Sequence, residues 1–230
     1  MKNIVTIDGP AGAGKSTVSR MVAKRLQILY LDTGAMYRAV ALQAEREGID
    51  IHDGERMRRL CQGLDLQFVA QGEDPKLFMG GEDISSAIRS PEMDMLSSAV
   101  SAVKEVREAM TALQRKIGLK GGVVAEGRDM GTVVFPDARH KFFLTASAEV
   151  RAGRRYQERH VRGESVTREE VARELAKRDQ QDSDRAIAPL IPARDAKIID
   201  TTLLNASEVV EMILAEVHVE HGVKGRKNGP

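Results

Sequence analysis

A strand-like run that turns straight into a glycine-rich loop and then a helix constrains this chain more than any other feature. Ile4-Val5-Thr6-Ile7 are all β-branched, the residue type that suits a strand. They lead into Asp8-Gly9-Pro10-Ala11-Gly12-Ala13-Gly14-Lys15-Ser16-Thr17, and an amphipathic stretch continues from Ser16 to Leu26. The spacing matches G-x-x-x-x-G-K-[ST] in the strand–loop–helix setting that gives the pattern meaning. Glycines let backbone N–H groups converge on phosphate oxygens without Cβ interference, and the helix N-terminus adds partial positive charge. Gly9, Pro10, Ala11, Gly12, Ala13, Gly14, Lys15, Ser16 and Thr17 are therefore the expected cradle of a nucleoside triphosphate, ATP foremost. Lys15 is expected to reach the β- and γ-phosphates and the Ser16 hydroxyl to help hold Mg²⁺.

The same rhythm continues along the chain. Apolar runs at Ile28–Leu31, Gly122–Ala125, Lys141–Leu144 and Lys197–Ile199 alternate with helical stretches such as Met36–Glu47. Strand-then-helix alternation predicts a parallel sheet covered on both faces. Thr167 with Glu170 reads as a capping box, Ser147 as a helix cap, and Asn205 with Glu208 as a second box rather than a working glycosylation sequon. From about Leu64 to Ser90 the rhythm breaks into Leu-Asp-Leu-Gln-Phe-Val, glycine turns and Lys-Leu-Phe-Met, the pattern of a small antiparallel β insertion. A basic, glycine-rich tail, 222–230, is expected to be disordered.

Composition narrows the function classes. The chain of 230 residues carries 35 basic and 34 acidic side chains, so no overall charge draws it to nucleic acid or anionic lipid. Aromatics are 3% with no Trp, which argues against a base-stacking single-strand binder, and the lone Cys61 excludes a disulfide framework or a cysteine-cluster zinc site. No stretch approaches the roughly 20 apolar residues of a membrane span, and no signal-like segment precedes Ile4. A soluble, cytoplasmic monomer is expected. The Asn-Lys-x-Asp segment of a guanine-nucleotide switch is absent.

What remains is a small transferase needing a second anion site, and four clusters offer the groups. Asp32-Thr33-Gly34-Ala35-Met36-Tyr37-Arg38 lies at the carboxyl end of the second strand, where ligands bind in open α/β sheets. There Thr33 reads equally well as a helix cap and Arg38 as a surface cation. Glu126-Gly127-Arg128-Asp129 ends the third strand, either as a ligand contact or as a local ion pair. Arg151, Arg154, Arg155, Arg159 and Arg162 fall largely on one helical face, with few acids in that stretch to neutralise them. The stripe is thus an anion-binding candidate, and Gly163 after it a candidate hinge. Arg178, Asp182 and Arg185 stand about a helical turn apart, as a ligand site or a surface ladder.

Taken together with Gly131-Thr132-Val133-Val134-Phe135-Pro136 and Ala188-Pro189-Leu190, these segments resemble the bacterial cytidylate kinases, from about Asn3 to Val217. The resemblance implies a P-loop NTPase fold: an α/β domain with a five-stranded parallel sheet flanked by helices, a small antiparallel insertion and a helical lid. It implies one kinase domain over 1–221, with its core at 1–62 and 90–221, the insertion near 63–89 and the lid near 147–165. The implied reaction is transfer from ATP, with Mg²⁺, to CMP or dCMP. By similarity, Arg38 and Arg128 hold the acceptor phosphate, and Thr33 also belongs to the CMP-binding residues. Ser98, Arg107 and Asp129 read the cytosine, Ser97 and Ser101 being alternatives to Ser98. Arg178 and Asp182 address the sugar, and Arg185 the phosphates near the transfer point. Arg151, Arg155 and Arg159 belong to the lid over ATP. A kinase for UMP, AMP or shikimate, or a nucleotide-binding regulator without turnover, are the alternatives. A base-reading Asp in the Glu-Gly-Arg-Asp turn favours cytosine.

Overall fold

The structure is a computed structural model of the chain and describes residues 3–69 and 75–222. In chain order, β1 (Ile4–Asp8), α1 (Lys15–Leu26), β2 (Leu29–Asp32), α2 (Thr33–Arg46) and α3 (Gly54–Gly63) come first. The short strands β3 (Leu66–Val69), β4 (Lys76–Met79) and β5 (Glu82–Asp83) follow, then α4 (Pro91–Val100) and α5 (Lys104–Gly118). The remainder is β6 (Val123–Gly127), a π-helical turn (Met130–Val134), β7 (His140–Thr145), α6 (Ala148–Val161), α7 (Arg168–Ser183), β8 (Lys197–Asp200) and α8 (Ala206–Gly222).

Five strands make one parallel sheet in the order β2-β6-β1-β7-β8, which puts β1 and its following loop at the centre. Side-chain alternation divides β1 and β6 between two cores. Ile4, Val123 and Ala125 face a cluster with Met36, Met57, Met110 and Phe135 on the α2–α5 side. Val5, Ile7 and Val124 face Val18, Val22, Leu144 and Ile213 on the α1–α8 side. Covering on both faces is why these strands are continuously apolar rather than alternating.

The irregular segment is the expected antiparallel sheet, β3-β4-β5. Leu66, Leu77 and Met79 join the α2–α5 core, so the insertion is packed against the domain. The helical pair α6–α7 is anchored differently. Its own core is small, Ala152, Val171 and Leu175 with Ala11, Tyr156 and Val166 against them.

Local signals behave mostly as the sequence predicts. Thr167 and Glu170 form the reciprocal capping box, Ser147 caps α6, and Asn205 and Glu208 cap α8 reciprocally at 3.0 and 2.8 Å. One reading changes and one is refined. α2 starts at Thr33 rather than Met36, because Asp32 and not Thr33 is its cap, accepting from the Ala35 N–H at 2.8 Å. Gly163 is the left-handed residue that ends α6: its N–H reaches the His160 carbonyl and the Glu164 N–H the Arg159 carbonyl, a Schellman arrangement. Its conformational freedom serves here to terminate a helix, a position from which a hinge can also act. The disordered-tail reading falls, beyond Gly222, outside the described residues.

Gly9 carries the tightest constraint in the loop, with φ +144° and the Leu144 carbonyl oxygen 2.0 Å from where a Cβ would sit. Gly9→Ala should cost about 3 kcal/mol or more, through a backbone clash that a side chain cannot relieve. Thermal melts should show a fall in Tm on the order of 10 °C. Gly48→Ala, at φ +61° in open space, should cost about 1 kcal/mol.

Candidate active site

The parallel sheet delivers the ends of β1, β2 and β6 to one edge, and the polar residues at those ends meet there. After β1, the loop carries Gly9, Gly12 and Gly14 at positive φ, and α1 begins at Lys15. The Lys15 ammonium folds back to donate to the Pro10 carbonyl at 2.7 Å. It is buried rather than an exposed loop charge, and burial together with the neighbouring Arg128 pushes its pKa down to about 7. Ser16 and Thr17 are exposed at the mouth. Asp8 ties the end of β1 to the turn after β6 by accepting from the N–H groups of Met130 and Gly131 at 2.9 and 2.8 Å. Burial pushes its carboxyl up to about 7 in spite of those bonds.

Glu126, at the end of β6, gathers three elements. One carboxylate oxygen accepts from Ser16 Oγ and from the Tyr30 hydroxyl, each at 2.8 Å. The other, Oε2, is buried with no hydrogen-bond partner among the described residues. Burial, with Asp32 nearby, raises its pKa. The Thr33 hydroxyl donates to the Glu126 carbonyl at 2.6 Å, a role that its position inside α2 makes possible.

Arg128 and Asp129 are adjacent in sequence but do not pair with each other. Arg128 Nε donates to Asp182 of α7 at 2.8 Å, whereas Asp129 pairs with Arg107 of α5, both of them buried. Arg107 also donates to the Ser101 carbonyl at 3.0 Å and lies over the Tyr37 ring, 5.7 Å from its centroid. Asp182 holds Arg185 as well. Burial works against that carboxylate's charge, but Arg128, Arg185 and Arg178 outweigh it and hold its pKa below the ordinary range.

Two recesses result. The larger, about 270 Å³, joins Lys15 and Ser16 to Arg38, Arg128, Arg155 and Arg178. Arg38 Nε and Arg178 Nε are buried there without a hydrogen-bond partner among the described residues. Burial and the neighbouring Arg128 push Arg178 down to about 10, a measure of how crowded the cations are. A smaller pocket beside it is lined by Thr33, Tyr37, Ser97, Ser101, Arg107 and Asp129, with Arg185 at its wall. Buried donors with no partner are rare in folded proteins, and a cavity that collects them is built for an anion.

The chain matches the family described as "Cytidylate kinase" over residues 5–219. It is 50% identical over 224 residues to a cytidylate kinase of Citrifermentans bemidjiense, covering 96% of each chain. It is 53% identical over 210 residues to one from Geobacter sp. strain M21, covering 91% of this chain and 90% of the relative. The chain belongs to the cytidylate kinase family. An uncharacterized protein of known structure from Eubacterium ventriosum shares the fold, with a TM-score of 0.53 at 11% identity over 94% of this chain and 99% of its own.

Against the resemblance to this family, the structure brings together Lys15, Ser16, Arg38, Arg128, Arg155 and Arg178 in one cavity, and Thr33, Arg107 and Asp129 in the next. Three expected residues stand elsewhere. Ser98 faces a neighbouring cleft opposite Gln181 at 3.5 Å, because the turn of α4 points Ser97 and Ser101 at the smaller pocket instead. Arg185 is drawn to Asp182 and so lines the Arg107 pocket rather than the Lys15 cavity. Arg159 is buried between Glu164 at 2.6 Å and Glu174 at 2.5 Å, away from the glycine loop.

The expectation of a poorly neutralised arginine stripe is overturned in the same way. Arg151 pairs with Asp179 at 2.6 Å and donates to the Ala11 carbonyl, Arg155 pairs with Asp94 and Glu158, and Arg162 with Glu158. Arg154 donates to the Thr201 carbonyl at 2.7 Å. Most of these partners come from other elements and are invisible in the helix's own sequence. Glu126 and Asp32 were missed as site residues. Their signal was a carboxylate at the carboxyl end of an apolar strand beside the loop.

Asp182 is 1% exposed and balances two arginines. Asp182→Ala should lower unfolding free energy in urea by about 3–5 kcal/mol, since it leaves buried cations unpaired. Glu158→Ala, at an exposed pair, should stay within about 1 kcal/mol.

Proposed function

We propose that this protein phosphorylates CMP and dCMP from ATP by direct in-line transfer, the residues of the two recesses acting together. The observation that carries the reading is that Arg38 and Arg178, each with a buried guanidinium nitrogen that has no partner among the described residues, line one cavity with the glycine loop. They supply a second anion site at the distance of a neighbour from the triphosphate loop. The glycine loop with Lys15 holds the ATP phosphates, and Arg38 and Arg128 hold the acceptor phosphate. Asp129 and Arg107 read the base, and Arg178 and Asp182 the sugar side.

No base or covalent intermediate is required for such a transfer. Alignment of the acceptor oxygen with the γ-phosphorus and a dense positive field around the transferred group carry the catalysis. Lys15, Arg128 and Arg155 supply that field, and Arg151 steadies the loop through Ala11. Arginine suits the work because its planar fork takes two phosphate oxygens at once. Arg185 acts through Asp182 and Arg159 through its glutamates, as parts of the scaffold around the site. The small core beneath α6–α7 favours their service as a lid, since a weakly anchored unit opens at low cost.

The oxygen donors Ser16 Oγ and Glu126 Oε2 fit a hard divalent cation, and the buried, unpartnered Oε2 is the feature that supports it. Mg²⁺ bound with the phosphates there would neutralise charge on the β- and γ-oxygens. The near balance of 35 basic and 34 acidic residues supports action on nucleotides rather than on nucleic acid or membranes.

ADP release, followed with CMP, dCMP, UMP, AMP and shikimate as acceptors, tests the reading. Turnover should be greatest with the cytidylates, and a preference for any other acceptor overturns it. Asp129→Ala should reduce kcat/KM for CMP by about 10²-fold more than for UMP, because a carboxylate accepts from the cytosine amino group and repels the uracil carbonyl. An unchanged ratio would make Asp129 only the counter-ion of Arg107. Lys15 gives a second handle. Its pKa lies near 7, so at pH 8 the amine is mostly neutral; polyphosphate raises that pKa and draws in a proton. Calorimetry of MgATP binding at pH 8, in buffers of different ionisation enthalpy, should show uptake approaching about one proton. Lys15→Met should abolish both the uptake and turnover.

A further inference from the structure

One carboxylate in the larger cavity has no part in the reading above. Asp94 sits on α4, 19% exposed, with its two oxygens directed at different elements. Oδ1 lies 3.6 Å from a terminal nitrogen of Arg38 on α2, and Oδ2 pairs with Arg155 on α6. It lines the cavity alongside Lys15, Arg128 and Arg178. An exposed ion pair would warrant no further thought. This one is partly buried, shared by two arginines, and joins the acceptor side of the site to the α6–α7 pair.

The acid stands where an entering phosphate must work. Among the described residues Arg38 is otherwise bonded only to Asp32, at a long 3.3 Å, and its Nε has no partner. A phosphate that takes the Arg38 fork therefore competes with the Asp94 carboxylate and is repelled by it at short range. We propose that Asp94 is a positioning residue that competes with the acceptor phosphate for Arg38 and Arg155, so that it limits how tightly a phosphorylated acceptor is held. The inference rests on the reading of Arg38 as an acceptor-phosphate ligand. In exchange for the bond it loses to phosphate, Asp94 releases Arg155 toward the phosphoryl group being transferred. The residue thus links filling of the acceptor site to the charge that α6 can offer.

Calorimetry with CMP and with cytidine separates the phosphate from the nucleoside. Asp94→Asn keeps the shape and removes the charge; it should bind CMP about tenfold more tightly than wild type, with cytidine affinity unchanged. The KM for CMP should fall, and kcat should not rise. Asp94→Glu should restore the wild-type ratio of CMP to cytidine affinity. Weaker CMP binding by Asp94→Asn, with or without loss of cytidine, overturns the inference by making Asp94 an organiser of the arginines or of α4. Unchanged CMP affinity overturns it equally. Arg38→Ala tells that failure from failure of the underlying reading: if it leaves CMP affinity intact, Arg38 is no phosphate ligand and the acceptor-site reading falls as well.

Discussion

Concentrating positive charge at one edge of a sheet is the constraint on which the rest of this structure depends. Lys15, Arg38, Arg128, Arg155 and Arg178 line a single cavity, and like charges at such range repel strongly in a partly dry environment. A chain with this arrangement stays folded only if acids are built in behind the cations. Asp182 answers Arg128 and Arg185, Asp129 answers Arg107, and Asp94 and Asp32 share Arg38. Glu126 lies within the same electrostatic reach of Lys15 and anchors Ser16. The acids come from four different elements and from the turn after β6, so neutralisation requires the complete tertiary structure.

That neutralisation is incomplete by design of the geometry. Arg38 and Arg178 each keep a buried nitrogen with no hydrogen-bond partner among the described residues, and the pKa values of Lys15 and Arg178 are pulled down by burial and by the neighbouring Arg128. In the proposed reading, a phosphate entering the cavity would satisfy the orphan donors and restore the cations' preference for charge. The free energy withheld in folding would thereby be available to binding, where it would improve alignment of the reacting groups. The proposed competition of Asp94 with phosphate is a local instance of the same balance.

The two flanking units have different mechanical relations to this centre. The β3–β5 sheet shares the large core with α2 to α5. The α6–α7 pair rests on a small cluster of three buried apolar residues and on ion pairs at its margins. Ion pairs exchange for other charged partners far more readily than a packed core separates. A unit held in this way can respond to the charge of what occupies the cavity.

Read alone, the residues from Ile4 to Leu26 determined the strand, the glycine loop and the helix, because a phosphate cradle and a β-branched run are local requirements. Alternation along the chain determined the parallel sheet, and capping residues determined the starts of α6, α7 and α8. The resemblance in four separated segments determined the family, and with it the candidates at the site. Helices α3, α4 and α5 flank the β insertion, where the strand-then-helix rhythm that marks the other helices is broken. Only the tertiary structure decided which charges meet. No local pattern shows that Arg128 turns to Asp182 while its neighbour Asp129 turns to Arg107, or that acids distant in sequence neutralise the arginines of α6. Nor does sequence spacing show that Gly163 ends a helix, or that Ser101 rather than Ser98 faces the Arg107 pocket. Helical and strand periods are read over a few residues, whereas a charge's partner is fixed by which elements the packed core brings within a few ångströms of it.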